Sequence, residues 1–386
     1  MTQGGFSAAL VRWLLAYGTF SVPQAAGPIA FTLLAMPLTG NAGSGAALVL
    51  AITLAQIAGA VPLARLGRGF NAVSYLKALI AVRAMAFVAL ALLAQAKAPF
   101  HALLVAAALG GLVNGAAFGV LRSILNHLVA PPAMPRALGL AATLNEFTFV
   151  VAPVLASVLG VAIDPVTSLL LLVGLGTAPV ILVPAIPTAV AAAPDRNPLP
   201  HAGGLLRPPI LLWLACTMAN STVAASVEIG SVAIAISYGL APAEGAIFAV
   251  ALCVASVSGG IWVSARNRAP GLPTVPILLL MMGLGAALAV AHLSVTATMI
   301  GAFVVGSVLA PLGTFYSLRL DALAPLNRKA EVFALSRTAN SLGVIVASAT
   351  LTWASLQATQ VTSAIMIFTA AAAVKIASLP GSRARI

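Results

Sequence analysis

The chain has 386 residues, 61% of them hydrophobic and only 7% charged, with a formal net charge of +12. Soluble domains carry about 25% charged residues, so this chain cannot cover a water-facing surface. That excludes a soluble enzyme or a nucleic-acid binder and predicts an integral membrane protein. The bases are thinly scattered at the ends of apolar runs, where they report membrane topology rather than a polyanionic partner.

A bilayer core about 30 Å thick takes roughly 20 apolar residues of helix. In chain order, stretches of that size fall at 8–36, 43–64, 71–95, 99–129, 134–160, 165–188, 209–237, 243–264, 271–292, 295–323, 330–356 and 360–379, which predicts an all-α protein of twelve transmembrane helices. The opening "MTQGGFSAALVRWLL" has one base and no cleavage site before the apolar run continues, so it reads as a first membrane helix. With the N-terminus inside, the bases Arg12, Arg65, Arg68, Arg136, Arg196, Arg207, Arg266, Arg268, Arg328, Lys329, Arg383 and Arg385 fall on the cytoplasmic side. Lys97 alone falls outside. Both termini are therefore expected in the cytoplasm.

Polar residues inside the spans are the candidate site, because a charge there costs about 2.5–3.5 kcal/mol on insertion scales and faces the bundle interior. Span 1 carries Tyr17 and Gln24. Span 3 carries Lys77, expected to snorkel, and the deeper Arg83. Span 4 carries Asn114 and Arg122. Span 5 reads "ATLNEFTFVVAPVLASVLG", with Asn145 and Glu146 set in apolar sequence; counted from Pro135, Glu146 lies near the midplane. Desolvation favours the neutral form of such a carboxyl, which makes Glu146 a candidate proton site; the alternative is a fixed ion pair with Arg83 or Arg122. Residues 189–208 form the longest hydrophilic stretch and read as a cytoplasmic linker between an N-terminal six-helix bundle, 1–188, and a C-terminal one, 209–386. Span 7 carries Asn220 and, on nearly the same face, Glu228, a second candidate for proton coupling. Asp321 and Glu331 flank the base-rich turn after span 10 and suit an ion-pair network. Span 11 carries Arg337, Asn340 and Ser341 on one stripe. Gln24, Asn114, Asn145, Asn220, Arg337 and Asn340 make up the candidate substrate-binding set.

The halves echo each other. "ARLGR" (64–68) follows span 2 and "ARNR" (265–268) follows span 8; "LVAP" (128–131) closes span 4 and "ALAP" (322–325) closes span 10. Such repeats are typical of transporters. On these features the chain resembles the major facilitator superfamily over nearly its whole length. The loop after span 2, "AVPLARLGRG" (60–69), keeps Arg65, Gly67 and Arg68 of the family's cytoplasmic gate motif, with Ala64 where the family has aspartate. "TFVVAPVLAS" (148–157) resembles the proline-bearing span 5 pattern of proton-driven exporters, with Pro153 kept and Ala152, Ala156 and Ser157 in place of glycines. "GLVNGAAFG" (111–119) resembles the span 4 pattern, with Asn114 for glutamine and Gly111 where the family has arginine.

The resemblance implies a secondary active transporter working by alternating access. The leading expectation is proton-coupled efflux of a small, partly apolar molecule; the alternative is import of a small metabolite or organic acid. A non-transporting membrane receptor or assembly partner would not need the central charges. No cofactor, catalytic residue or metal site is expected: there is no G-x-x-x-x-G-K-[ST], the histidines at 101, 127, 201 and 292 are isolated, and Cys216 and Cys253 lie in apolar runs. Expected partners are a small-molecule substrate, protons and the lipid bilayer, with no nucleic acid and a monomeric chain. Heavy use of Ala, Gly and Arg over Lys points to the inner membrane of a GC-rich bacterium.

Overall fold

The structure is a computed structural model that describes residues 7–41, 43–186 and 205–378. Twelve helices in it are long and apolar enough to cross a membrane: α1 (Ala8–Thr39), α2 (Gly43–Gly69), α3 (Ala72–Gln95), α4 (Phe100–Leu128), α5 (Pro131–Ala162), α6 (Pro165–Leu182), α7 (Pro208–Glu228), α8 (Ala246–Arg266), α9 (Leu272–Ala291), α10 (Val295–Leu323), α11 (Leu326–Trp353) and α12 (Leu356–Ala377). No strand occurs among the described residues. The expected linker at 189–208 falls outside the described residues as far as 204, as do the expectations for both termini.

Short polar residues start the helices where the apolar runs begin. The side chains of Asn71, Asp164, Ser294 and Ser355 each accept hydrogen bonds from backbone N–H groups of the first turn of α3, α6, α10 and α12. Asp164 sits in the turn between spans, where hydrogen bonds from Thr167 and Val166 hold its carboxyl below the usual carboxylate range. Gly40 closes α1 in the left-handed conformation at φ +66°.

Three expected spans differ in detail. Span 6 stops at Leu182 rather than running to 188, because Val183 precedes Pro184 and takes an extended conformation. Span 7 stops at Glu228, and the stretch expected to continue to 237 is a separate short helix, Ser231–Ser237, after a break at Ile229–Gly230. Span 4 is interrupted at Val113, between Phe100–Leu112 and Asn114–Leu128.

The chain divides into two compact units. Unit 1 is Met1–Pro131, Leu144–Pro200 and Pro325–Thr338; unit 2 is Pro132–Thr143, His201–Ala324 and Ala339–Ile386. The first turns of α5 thus pack with the second half of the sequence, and the first turns of α11 with the first half. Small residues make both close approaches possible. A Cβ on Gly119 of α4 would lie 2.2 Å from the Ala330 carbonyl oxygen of α11, and one on Gly139 of α5 would lie 2.5 Å from Ser264 Oγ of α8.

Internal repetition is plain in the packing. In unit 1, a Cβ on Gly59 would strike the Leu112 carbonyl oxygen and one on Gly111 the Ile52 carbonyl oxygen. In unit 2, Gly259 bears the same relation to Ser307, and Gly306 to Leu252. The turns before α4 and α10 both contain a non-glycine residue at positive φ, Lys97 at 52° and His292 at 49°. Each unit therefore repeats the crossing of its second and fourth helices. At Gly111 the added Cβ would come within 2.2 Å of backbone that cannot rotate away. Gly111→Val is expected to destabilise unit 1 by about 1–3 kcal/mol, read as a lower melting temperature of the purified protein in detergent. Gly174→Val, at a glycine with open space around it, should melt as the wild type does.

Candidate functional site

The interior of unit 1 holds a connected polar group. It is centred on Asn114, at the break in α4. Arg83 of α3 is 4% exposed and donates to the Phe20 carbonyl of α1 at 3.1 Å, to Asn114 Oδ1 at 2.9 Å and to the Gly176 carbonyl of α6 at 2.7 Å. Its guanidinium also lies 4.3 Å from the centre of the Phe20 ring. Asn114 Nδ2 donates to Gln56 Oε1 of α2 at 2.6 Å and to Gln24 Oε1 of α1 at 3.3 Å. Arg337 of α11 donates to the same Gln24 oxygen. Six helices, α1, α2, α3, α4, α6 and α11, thus meet through backbone carbonyls, neutral amides and two guanidinium groups. Arg83 and Arg337 form no ion pair among the described residues, whereas Glu331 takes part in three.

A second group adjoins it. Trp13, Tyr17 and Phe118 form a run of rings, with centroids 5.1 Å and 6.1 Å apart. Trp13 is fully buried and its Nε1 donates to the Leu121 carbonyl at 2.9 Å. Tyr17 lies within electrostatic reach of Arg337, Arg122 and Glu146. Arg122, 3% exposed, donates to Asn126 Oδ1 at 3.0 Å and stacks on Phe333 at 4.4 Å. Glu146 is half-buried near the middle of α5, and its neighbour Asn145 accepts from Ser21 Oγ of α1 at 3.4 Å. The hydrogen bonds of Arg83 go to carbonyls and an amide, so Arg83 is not the ion-pair partner of Glu146.

Of the residues singled out in the sequence, Gln24, Asn114 and Arg337 come together directly, and Asn145 and Glu146 flank them through α1. Asn220, Asn340 and Glu228 lie in unit 2. There Ser221 Oγ donates to the Asn340 carbonyl at 2.9 Å. Asn220 Oδ1 is buried and has no hydrogen-bond partner among the described residues. Glu228 is the exposed last residue of α7. Ala152 and Ala156 of the span 5 pattern are buried, at 2% and 0% exposure, in a core with α1, α3 and α6, and Pro153 is half-buried. Cys216 is buried and Cys253 half-buried. Among the described residues no group of three His, Cys, Asp or Glu could hold a metal ion.

Sequence reading missed Gln56, although it is the only amide in the long apolar run of span 2. It missed the ring run as well, because aromatic residues in a membrane helix carry no period that separates interior from lipid.

A charged cluster lies at one end of unit 1. Glu331, 1% exposed, accepts from Arg65 Nε at 3.1 Å, from Arg328 at 3.3 Å and from Arg68. The carboxylate that the α2 motif lacks at Ala64 is thus supplied by the first turn of α11. Gly67 lets the ring of Tyr75 pack against the turn, since a Cβ there would lie 2.5 Å from it. The Tyr75 hydroxyl donates to the Leu63 carbonyl at 2.6 Å. A cavity of about 70 Å³ beside the cluster is lined by Arg68, Tyr75, Ser123 and Glu331, among others.

Twelve helices long and apolar enough to cross a membrane, packed in repeated units, fit a multi-pass membrane protein. No family model matches the chain, and no curated protein matches it. Among solved structures it is similar to a human organic anion transporter (TETRAN), at 14% identity and a TM-score of 0.71, covering 95% of this chain and 98% of that one. A bacterial homologue of the iron transporter ferroportin, in an outward-facing state, matches at 16% identity and a TM-score of 0.74, over 95% and 98% of the two chains. The E. coli fucose:proton symporter matches at 11% identity and a TM-score of 0.72, over 96% and 98%. The fold is therefore that of major facilitator superfamily transporters, and the neighbours named are transporters rather than enzymes.

Proposed function

We propose that this chain is a secondary active transporter that moves a small, partly apolar molecule by alternating access, coupled to protons through Glu146. The observation that carries the reading is that Glu146, Arg122 and Arg337, charged residues inside apolar spans, all lie within electrostatic reach of Tyr17. Charges at membrane depth are costly and mark substrate and ion pathways. A carboxyl among them changes the net charge of the site by one when it takes up a proton. Gln24, Asn114, Asn145 and Arg337 are the substrate-binding candidates of unit 1; Asn220 and Asn340, with Glu228 as a second carboxylate, are those of unit 2, taken by themselves. The likeness of the α5 stretch to proton-driven exporters supports efflux, working as a monomer in a bacterial inner membrane with both termini cytoplasmic.

A second reading, uptake of an organic acid together with a proton, is favoured by the excess of arginine inside unit 1. Arg83 and Arg122 are buried and Arg337 is half-buried, against the half-buried carboxylate of Glu146. Purified protein in liposomes with an imposed pH gradient tests both. Accumulation against a proton gradient supports exchange; accumulation along it supports symport. Absence of any gradient-dependent flux across a broad panel would defeat the proposal.

The Glu331 cluster acts on this reading as a latch. Glu331→Gln leaves Arg65, Arg68 and Arg328 without their carboxylate. With a buried acid and half-exposed bases, the loss is expected to be about 1–2 kcal/mol, or roughly ten-fold in a conformational equilibrium. Labelling of Ser123→Cys, beside the cluster, by an impermeant maleimide should quicken, on a background without Cys216 and Cys253. Unchanged labelling with weakened substrate binding would argue that the cluster belongs to the site instead.

A further inference from the structure

We propose that Arg337 anchors a carboxylate of the transported molecule, and that Phe118 and Tyr17 form a shelf for an aromatic or similarly flat apolar body attached to it. The inference rests on the transporter reading and names the substrate class for it. Arg337 lies eleven residues into α11, about 16 Å along the helix, so it is not an end residue reaching water. Among the described residues its single hydrogen bond goes to Gln24 Oε1, a neutral acceptor, and its Nε is buried without a partner. A guanidinium offers five donors in a planar fork that matches a carboxylate. Arg83 shows the contrast. Its donors go to two carbonyls and an amide, so it holds helices together and has little left to offer a ligand.

The amide relay completes the donor set. Arg83 donates to Asn114 Oδ1, so Asn114 must present its Nδ2 to Gln24 and Gln56. Gln24 therefore receives donors from both Asn114 and Arg337, which fixes its oxygen toward them. Its own NH₂ makes no hydrogen bond among the described residues and can join Arg337 on an oxyanion. The Arg337 guanidinium lies 5.0 Å from the Phe118 ring centre, and the Tyr17 ring is 6.1 Å beyond. A carboxylate at the guanidinium would thus carry its body against ring faces, as aromatic pairs prefer.

The test is binding to the purified full chain by calorimetry. The probes are benzoate, cyclohexanecarboxylate and succinate, with benzamide and benzylamine as neutral and cationic counterparts of benzoate. Benzoate is expected to bind, and benzamide and benzylamine at least ten-fold more weakly. Arg337→Gln should lose ten-fold or more in benzoate affinity while melting close to the wild type, and Arg337→Lys should recover part of it. Gln24→Glu would supply an internal carboxylate to Arg337 and should abolish benzoate binding. The inference is overturned if none of the three carboxylates binds, if benzamide or benzylamine binds as well as benzoate, or if Arg337→Gln binds benzoate normally. Proton-linked flux of a neutral or cationic compound, unchanged in Arg337→Gln, would remove the anion site and leave the transporter reading standing. Benzoate binding without flux of any compound would do the reverse.

Discussion

Glu146→Gln is expected to abolish accumulation driven by a pH gradient while exchange of substrate at equal concentrations continues. The variant keeps the shape of the side chain and removes its ability to change charge. Coupling between two ligands is a free energy, and factors of about 5–150-fold are usual. In the variant the factor should collapse to about one, and the pH dependence of substrate binding should flatten with it. The charges that act on Tyr17 give the sign. Arg122 and Arg337 share Tyr17's surroundings with Glu146, so the ionised carboxylate offsets part of a positive site. Protonation raises the positive charge, which strengthens binding of an anion and weakens binding of a cation. A ligand shifts a conformational equilibrium only through differential affinity, and this change of charge supplies it. If Glu146 served only as a fixed ion-pair partner of Arg122, the variant would lose stability and exchange together. Full gradient-driven transport in Glu146→Gln would move the proton role to Glu228.

The twelve spans were legible because each is a run of about 20 apolar residues, and at four of them the polar caps Asn71, Asp164, Ser294 and Ser355 mark where the run begins. Glu331 was legible as part of an ion-pair network because it is an acid beside a cluster of bases. Hidden from the sequence was which helices meet. The approach of α11 to α4 depends on Gly119, and that of α5 to α8 on Gly139, yet nothing in the sequence separates these from the chain's other glycines. In the sequence Arg83 and Arg337 both read as charges in apolar helices, with Arg337 alone in the candidate substrate-binding set and Arg83 a possible ion-pair partner of Glu146. Their difference lies in the carbonyls of Phe20 and Gly176, which a one-dimensional reading cannot bring beside α3.

Arg83 and Arg337 should accordingly part company on mutation. Arg83→Gln is expected to destabilise the protein, and Arg337→Gln to leave stability nearly unchanged. Arg83 ties α3 to α1, α4 and α6, and removing it takes the side-chain donor from the Phe20 and Gly176 carbonyls and from Asn114 Oδ1. A buried group left unsatisfied costs about 1–3 kcal/mol, while hydrogen bonds inside membrane proteins average nearer 0.6 kcal/mol. For three such bonds the loss is about 2–5 kcal/mol. It should appear as a lower melting temperature in detergent and as faster proteolysis. Arg83→Lys should recover only part, since one ammonium cannot reach two carbonyls and an amide with a rigid fork. Arg337 gives up one hydrogen bond to Gln24 and relieves a buried charge of its desolvation, and these changes oppose each other. A stable Arg83→Gln would mean that α1, α4 and α6 find each other through apolar packing alone, around the Phe31, Phe87 and Leu172 core.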